Sequence, residues 1–365
     1  MTKKLLSIIF LFLSLLSFSQ NVPLSNKATV SIFTCGRGNE LYTTFGHTAI
    51  RIKDESTNLD VVYNYGAFDF NTDNFYLKFV KGDLQYFINA SSYDDFIYEY
   101  QMEKREVIEQ TLDFSPTQKQ ELFDLLNASL FSEERSYTYK FIDRNCTTMV
   151  VEKINKMIGN ELIQKVDTTS ISYRELLYPY FANHFYYKLG INVIFGAKTD
   201  TKALKLFLPS ELMHSLDKAS INGIPLVIKK ETIIQGNELE SGFHFVDSIY
   251  FIALLLLILV VTNKKKVFLT YLFIAGLLGL FLSLVGLYSL HQELLWNYNA
   301  LLFNPLLLLL PFLKGKWFQK LTQICFVFLG IYIVIVFTKP HVWLMLPFIL
   351  ATAYMLWKLE KLERK

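Results

Sequence analysis

The chain has 365 residues, 52% of them hydrophobic, with a formal net charge of +3 and three cysteines. A mean hydropathy of +0.28 excludes a protein wholly exposed to water, and the small net charge without a basic–aromatic cluster gives nucleic-acid binding no support. Cys35, Cys146 and Cys325 make neither a zinc spacing nor a disulfide framework, so neither a metal nor a cofactor is expected.

Residues 1–20 have the form of a secretory signal. Lys3 and Lys4 begin it, an apolar run extends from Leu5, and Ser14, Ser17 and Ser19 lie near the expected cut. An uncleaved anchor is the alternative, and on either reading the domain after it is exported. Alternation and β-branching predict strands over 28–35, 47–53 and 61–66. The second of these sets Ile50 and Ile52 on one face and His47, Ala49 and Arg51 on the other. Residues 75–89 read as a strand pair broken at Lys81-Gly82-Asp83. Ser92 caps a helix from Tyr93 to about Arg105, and residues 106–114 read as a strand. Ser115-Pro116 then opens a helix to about Leu130, with proline in the first turn, where its missing N–H costs nothing.

The next helix carries Cys146 in its first turn. Asp143 and Asn145 are both N-cap candidates, Met149, Val150, Ile154, Met157 and Ile158 recur at helical spacing, and Gly159 is the stop. A tyrosine-rich segment covers 171–187. A short helix starts near Pro209, then come a turn at Asn222-Gly223 and a strand over 225–234. Without an internal repeat or low-complexity linker, residues 21–245 read as one α+β domain.

Residues 246–365 read as an all-α multi-span membrane domain with a basic tail. Five segments are expected, at 246–262, 267–290, about 294–313, 321–337 and 342–357, against the ~20 residues that cross a bilayer. The third is irregular because it holds Asn297, Asn299, Asn304, Pro305 and Pro311. Lys264-Lys265-Lys266, then Lys314, Lys316 and Lys320, then the tail from Lys358 form one set of loops. The alternate loops hold His291 with Glu293, and Lys339 with His341. This asymmetry places the basic loops and the C-terminus in the cytoplasm and the first domain outside.

A thiol in the first turn of a helix faces unpaired N–H groups and the positive end of the helix dipole, and both favour thiolate. His47, 99 residues upstream on a strand, is the candidate base. Asn64, on the neighbouring strand, is the candidate group to orient the imidazole. The competing readings are a structural histidine with a buried apolar cysteine, or a Cys35–Cys146 disulfide in an oxidising compartment. Tyr42, Arg51, Tyr173 and Arg174 are candidates to shape the site or meet lipid phosphate, set against a purely structural role. His291, Glu293, Trp296, Asn297, Asn299 and Asn304 gather at the outer end of the third segment. Polar groups at that depth are costly and mark function.

The stretches Thr34-Cys35-Gly36, Glu40-Leu41-Tyr42, Phe45-Gly46-His47-Thr48-Ala49-Ile50-Arg51, Val62-Tyr63-Asn64-Tyr65-Gly66, Phe68-Asp69-Phe70 and Asn145-Cys146-Thr147-Thr148 together resemble the family defined by the Lnb N-terminal periplasmic domain. The order of histidine on an early strand and cysteine at a later helix start is more distantly similar to the permuted papain-like fold of lecithin:retinol acyltransferase relatives, whose residues after the cysteine are replaced here by Thr147-Thr148. The resemblance implies a lipoprotein N-acyltransferase in a bacterial inner membrane. Its acyl donor would be a phospholipid, its intermediate a Cys146 thioester and its acceptor the N-terminal amine of a lipidated cysteine. A periplasmic cysteine peptidase or amidase acting on cell-wall peptide, and a non-catalytic membrane sensor, are the rival functions.

Overall fold

The computed structural model describes residues 23–167, 170–182, 184–237 and 242–364, so the expected signal lies outside the described residues. The strands are β1 (Thr29–Cys35), β2 (His47–Asp54), β3 (Leu59–Ala67), β4 (Gln85–Ser92), β5 (Val107–Leu112), β6 (Ser136–Thr138), β7 (Ser220–Ile221), β8 (Ile224–Pro225) and β9 (Val227–Ile234). Seven of them form an antiparallel sheet in the order β6-β4-β3-β2-β1-β5-β9. The hairpin of β7 and β8 turns at Asn222-Gly223, where both residues take positive φ.

The helices before the membrane part are α1 (Phe75–Lys81), α2 (Tyr93–Met102), α3 (Pro116–Phe131), α4 (Cys146–Ile158), α5 (Tyr173–Leu177), α6 (Phe185–Ile194) and α7 (Pro209–Lys218). Alternation along the strands divides their side chains between two faces. Val30, Ile32, Ile50, Ile52, Tyr63 and Ile88 join the main core with Leu122 and Leu126 of α3, Val150 and Ile154 of α4, and Leu212 and Leu216 of α7. Phe33, Cys35, Ala49, Val62 and Val107 face the other way, beneath Phe96, Ile97 and Tyr100 of α2. Complete burial of one such Ile or Phe contributes about 1.5–3 kcal/mol.

One expected strand is a helix. Residues 75–81 are rich in β-prone aromatics, but none of their side chains is buried against the sheet. Gly82 closes the turn in the left-handed region, its N–H bonded to the Lys78 and Phe79 carbonyls. The second half of the expected pair is a strand, β4.

A third cluster lies beside the sheet, built from Ile142, Tyr173, Leu177, Phe181, Phe207 and Leu208. It carries α6, whose Leu189 and Val193 pack into the core of the membrane part. That part contains α8 (Ile249–Val261), α9 (Lys265–Tyr288), α10 (Asn299–Leu302), α11 (Gly315–Val336) and α12 (Val342–Glu363). Among the described residues three helices, α9, α11 and α12, are long and apolar enough to cross a membrane, and Ile249–Val261 and Asn299–Phe312 are shorter apolar stretches. Helix α8 has only 13 residues. The third expected span breaks into the single turn of α10 and a 3-10 stretch, Pro305–Phe312, because Pro305 and Pro311 cannot donate to an α-helical ladder. The broken segment lies directly on α9. A Cβ at Gly279 would come within 1.3 Å of the Phe303 carbonyl oxygen, so only glycine permits this approach.

The ends of the bundle differ. Lys265 pairs with Glu363 at 2.7 Å, and the Gly315 N–H donates to the same carboxylate at 3.0 Å. All three basic stretches therefore meet at one end. At the other end the α9 helix stops against α1, where the Leu290 N–H donates to the Lys81 carbonyl at 2.7 Å and the Ser289 hydroxyl to the Val80 carbonyl at 2.8 Å.

Candidate active site

Asn145 builds the start of α4. Its side-chain oxygen accepts from the Thr148 N–H at 3.0 Å, while the Thr148 hydroxyl accepts from the Asn145 N–H at 2.8 Å. Its amide nitrogen donates to the carbonyls of Phe141 and Phe207, both at 2.8 Å. With both side-chain polar atoms of Asn145 engaged, the direction of the first turn is fixed. The N–H groups of Cys146 and Thr147 are left without an intrahelical acceptor, as at any helix start. Gly66 (φ +94°) passes above the thiol-bearing carbon: a Cβ there would lie 3.6 Å from the Cys146 Cβ and 3.9 Å from the Tyr139 ring.

His47 opens β2, a central strand of the sheet. It lies close enough to Cys146 for the two groups to shift each other's proton affinity. Its Nε2 lies 3.2 Å from Asn64 Oδ1, and Asn64 is on the adjacent strand β3. With Nε2 committed to Asn64 as donor, Nδ1 is the nitrogen left to serve the thiol. The Thr48 N–H also points at Cys146, and the Thr48 and Thr147 hydroxyls meet at 3.1 Å beneath the pair.

Burial by itself would push the Cys146 thiol up and His47 down. The charge of each on the other, their hydrogen bond and the Thr48 N–H outweigh it, so Cys146 lies below its ordinary value of 9.0 and His47 above its ordinary 6.5. Both shifts run toward the ion pair of a thiolate beside an imidazolium.

Cys35 pairs with His47 in the β1–β2 register, yet its surroundings act in the opposite sense. It is 1% exposed under α2, and burial raises its thiol to about 12. Both cysteines are free, so the expected disulfide alternative does not hold. Cys325 is buried in the membrane core with its Sγ 3.6 Å from Asn304.

The remaining expected site residues separate into two groups. Arg51 pairs with Asp60 at 2.7 Å and Glu109 at 3.1 Å, with its guanidinium 3.6 Å from the centre of the Tyr93 ring. Arg174 is fully buried among Asp200, Asn192 and the carbonyls of Phe195 and Gly196. The Tyr173 hydroxyl accepts from the Lys205 N–H inside the third cluster. Asn297 and Asn299 donate to the last carbonyls of α6, at Asn192, Val193 and Ile194. These five residues hold structure together, and their polar groups are spent on neighbours rather than left for a ligand.

Tyr42, His291 and Glu293 lie differently. The Tyr42 ring meets Phe68 and Phe70, and Phe68 continues through Tyr86 to Tyr139, which stacks on Tyr86 at 4.3 Å. An aromatic wall thus runs from an exposed surface to the residue beside Cys146. His291 donates from Nε2 to the Phe79 carbonyl at 2.9 Å and joins this wall to the end of α9. Glu293 is 2% exposed, and its backbone carbonyl accepts from the Gly196 N–H at 2.7 Å. Sequence patterning missed Thr48, Gly66, Tyr139 and Thr147. Of these, only Gly66 and Thr147 carried a signal, one as a glycine inside a strand and the other as the neighbour of the thiol.

An apolar groove of about 820 Å³ between α6, α8 and α9 touches neither Cys146 nor His47. Among the described residues no cluster of His, Cys, Asp and Glu could hold a metal ion. No curated protein and no solved structure matches the chain. Residues 18–178 match the family model described as the Lnb N-terminal periplasmic domain. With three helices long and apolar enough to cross a membrane behind that segment, the protein is a membrane protein whose periplasmic N-terminal domain belongs to the Lnb family.

Proposed function

We propose that the protein is a lipoprotein N-acyltransferase of the bacterial inner membrane, with its C-terminus in the cytoplasm, which moves a fatty acyl group from phospholipid through Cys146 to the N-terminal amine of a lipidated cysteine. On this reading the α+β domain is a permuted papain-like unit, with the base on an early strand and the nucleophile on a later helix. The observation that carries the proposal is the position of the pair. The thiol and imidazole lie on a domain seated on the outer end of α9, behind the aromatic wall that leads to α1. Tyr76 and Leu77 of α1 are 78% and 68% exposed beside that end, an apolar surface suited to meeting lipid.

In the first half-reaction the Cys146 proton resides on His47, and the thiolate attacks the ester carbonyl carbon of the phospholipid. N–H groups at the start of α4 and at Thr48 are placed to hold the oxyanion, each donor lowering the barrier by about 3 kcal/mol in comparable sites. The carbon–oxygen bond breaks, His47 returns its proton to the departing alkoxide, and lysophospholipid leaves. In the second half-reaction the acceptor amine attacks the thioester and loses a proton to His47. The carbon–sulfur bond breaks, giving an amide and the starting thiolate.

Incubation of the full chain with phospholipid vesicles, followed by intact-mass analysis, tests the reading. A hydroxylamine-labile acyl adduct on Cys146 is expected, and it should disappear when a diacylglyceryl-cysteine peptide with a free amine is added. Release of free fatty acid with no amide product would point to a hydrolase instead.

A further inference from the structure

The segment that joins α9 to α10 brings a carboxylate under the domain. His291 rests against Gly82, and Gln292 accepts from Lys198, which also reaches Asp143, three residues before Cys146. Glu293 comes next in the chain. It lies in the Gln292–Leu294 turn, near enough for its charge to act on Tyr139, the ring that packs against Gly66 and stands beside Cys146.

Its surroundings are unlike those of the other buried acids: Asp54 has no cation either, but it accepts from the Ser25 N–H and hydroxyl and from the Ser56 N–H. Glu109 has Arg51, Glu211 has Lys165, and Asp200 has Arg174 and Lys339. Glu293 has no ion pair among the described residues, and its buried Oε1 has no hydrogen-bond partner. The nearest lysine of the segment, Lys198, is committed to Asp143 and Gln292. A carboxylate taken from water without a cation is costly, and the cost is removed when a partner arrives. The group that fits must be a small cation with N–H donors, delivered at the membrane surface next to the thiol.

We propose that Glu293 is the binding site for a primary ammonium group presented at the membrane surface beside Cys146. This rests on the acyl-transfer reading, in which such a group arrives from one of two sources: the α-amine of the acceptor, or the ethanolamine headgroup of the donor lipid. In the first case the carboxylate holds the amine over the thioester. In the second it selects the donor.

The test reads binding rather than turnover, so its failure is distinguishable from failure of the acyl-transfer reading. The full chain in phosphatidylglycerol nanodiscs is titrated with dihexanoyl phosphatidylethanolamine and with an S-diacylglyceryl-cysteine dipeptide, each beside its N-acetylated counterpart. The wild type should favour at least one free amine over its acetylated form by roughly 10-fold or more. Glu293→Gln should abolish that preference without weakening the acetylated probes. Preference for the dipeptide alone assigns the acceptor, and preference for the ethanolamine lipid alone assigns the donor. Because the substitution breaks no ion pair and leaves no partner unsatisfied, the melting temperature should hold or rise, and Glu293→Ala serves as the second variant. No preference in the wild type, a preference that survives both substitutions, or equal weakening of the acetylated probes overturns the proposal. A preference without any Cys146 adduct would keep the ammonium site and remove the acyl transfer.

Discussion

The surroundings of Cys35 and of Cys146 show how little of a thiol's chemistry resides in the thiol. Both sulfurs lie near one histidine, Cys35 across the strand register and Cys146 from the start of a helix. Cys35 is sealed beneath Phe96 and Tyr100, where burial dominates and its thiol is held near 12. Cys146 is only half-buried, and the His47 charge, aided by the Thr48 N–H, pulls its thiol below the ordinary value. Burial acts on both in the same sense. The difference is the His47 charge beside Cys146; the Tyr100 hydroxyl and the Arg105 charge that act on Cys35 do not offset its burial.

Substitution is the largest way to break this comparison. Cys146→Ala should abolish both the acyl adduct and acyl transfer, whereas Cys35→Ala should leave turnover per folded molecule within about threefold and cost about 1 kcal/mol of stability from lost packing. Equal loss from the two would contradict the account. His47→Ala is next, with acylation of Cys146 expected to slow by about 10²–10⁴-fold in a stopped assay with short-chain phospholipid.

The pH profile of alkylation sharpens the same contrast. Since the folded Cys146 thiol lies below 9.0, its thiolate persists at pH values where an ordinary cysteine is protonated, and reactivity falls only on further acidification. His47→Ala should move that fall upward in pH. Cys35, held near 12, should resist iodoacetamide throughout the neutral range. Asn64→Ala should be milder, roughly a 10-fold drop in kcat with little change in KM, because it removes one hydrogen bond from an imidazole that remains in place.

Much of the site was legible because its signals are local. The helix start at Asn145-Cys146, the Gly159 stop, the strands carrying His47 and Asn64 and the Asn222-Gly223 turn all arise from short-range chemistry that the structure retains. What misled were residues whose partners lie far along the chain. Arg51 reads as a surface cation until Glu109 arrives 58 residues later. Asn297 and Asn299 read as ligands until the end of α6 supplies carbonyls more than 100 residues away. Residues 75–81 carry strand-forming aromatics, yet the contact that settles them comes from the far end of α9. Hydropathy also does not register what Pro305 and Pro311 do to a helix, so the irregular form of that apolar segment comes from the structure.

The direct test is intact-mass analysis of the full chain and of Cys146→Ser after incubation with a phospholipid of defined acyl composition. The account predicts one added acyl chain on the native protein, mapped to Cys146 and released by hydroxylamine, with no hydroxylamine-labile adduct on the variant. An unmodified Cys146 in protein that still acylates lipoprotein amines would contradict it.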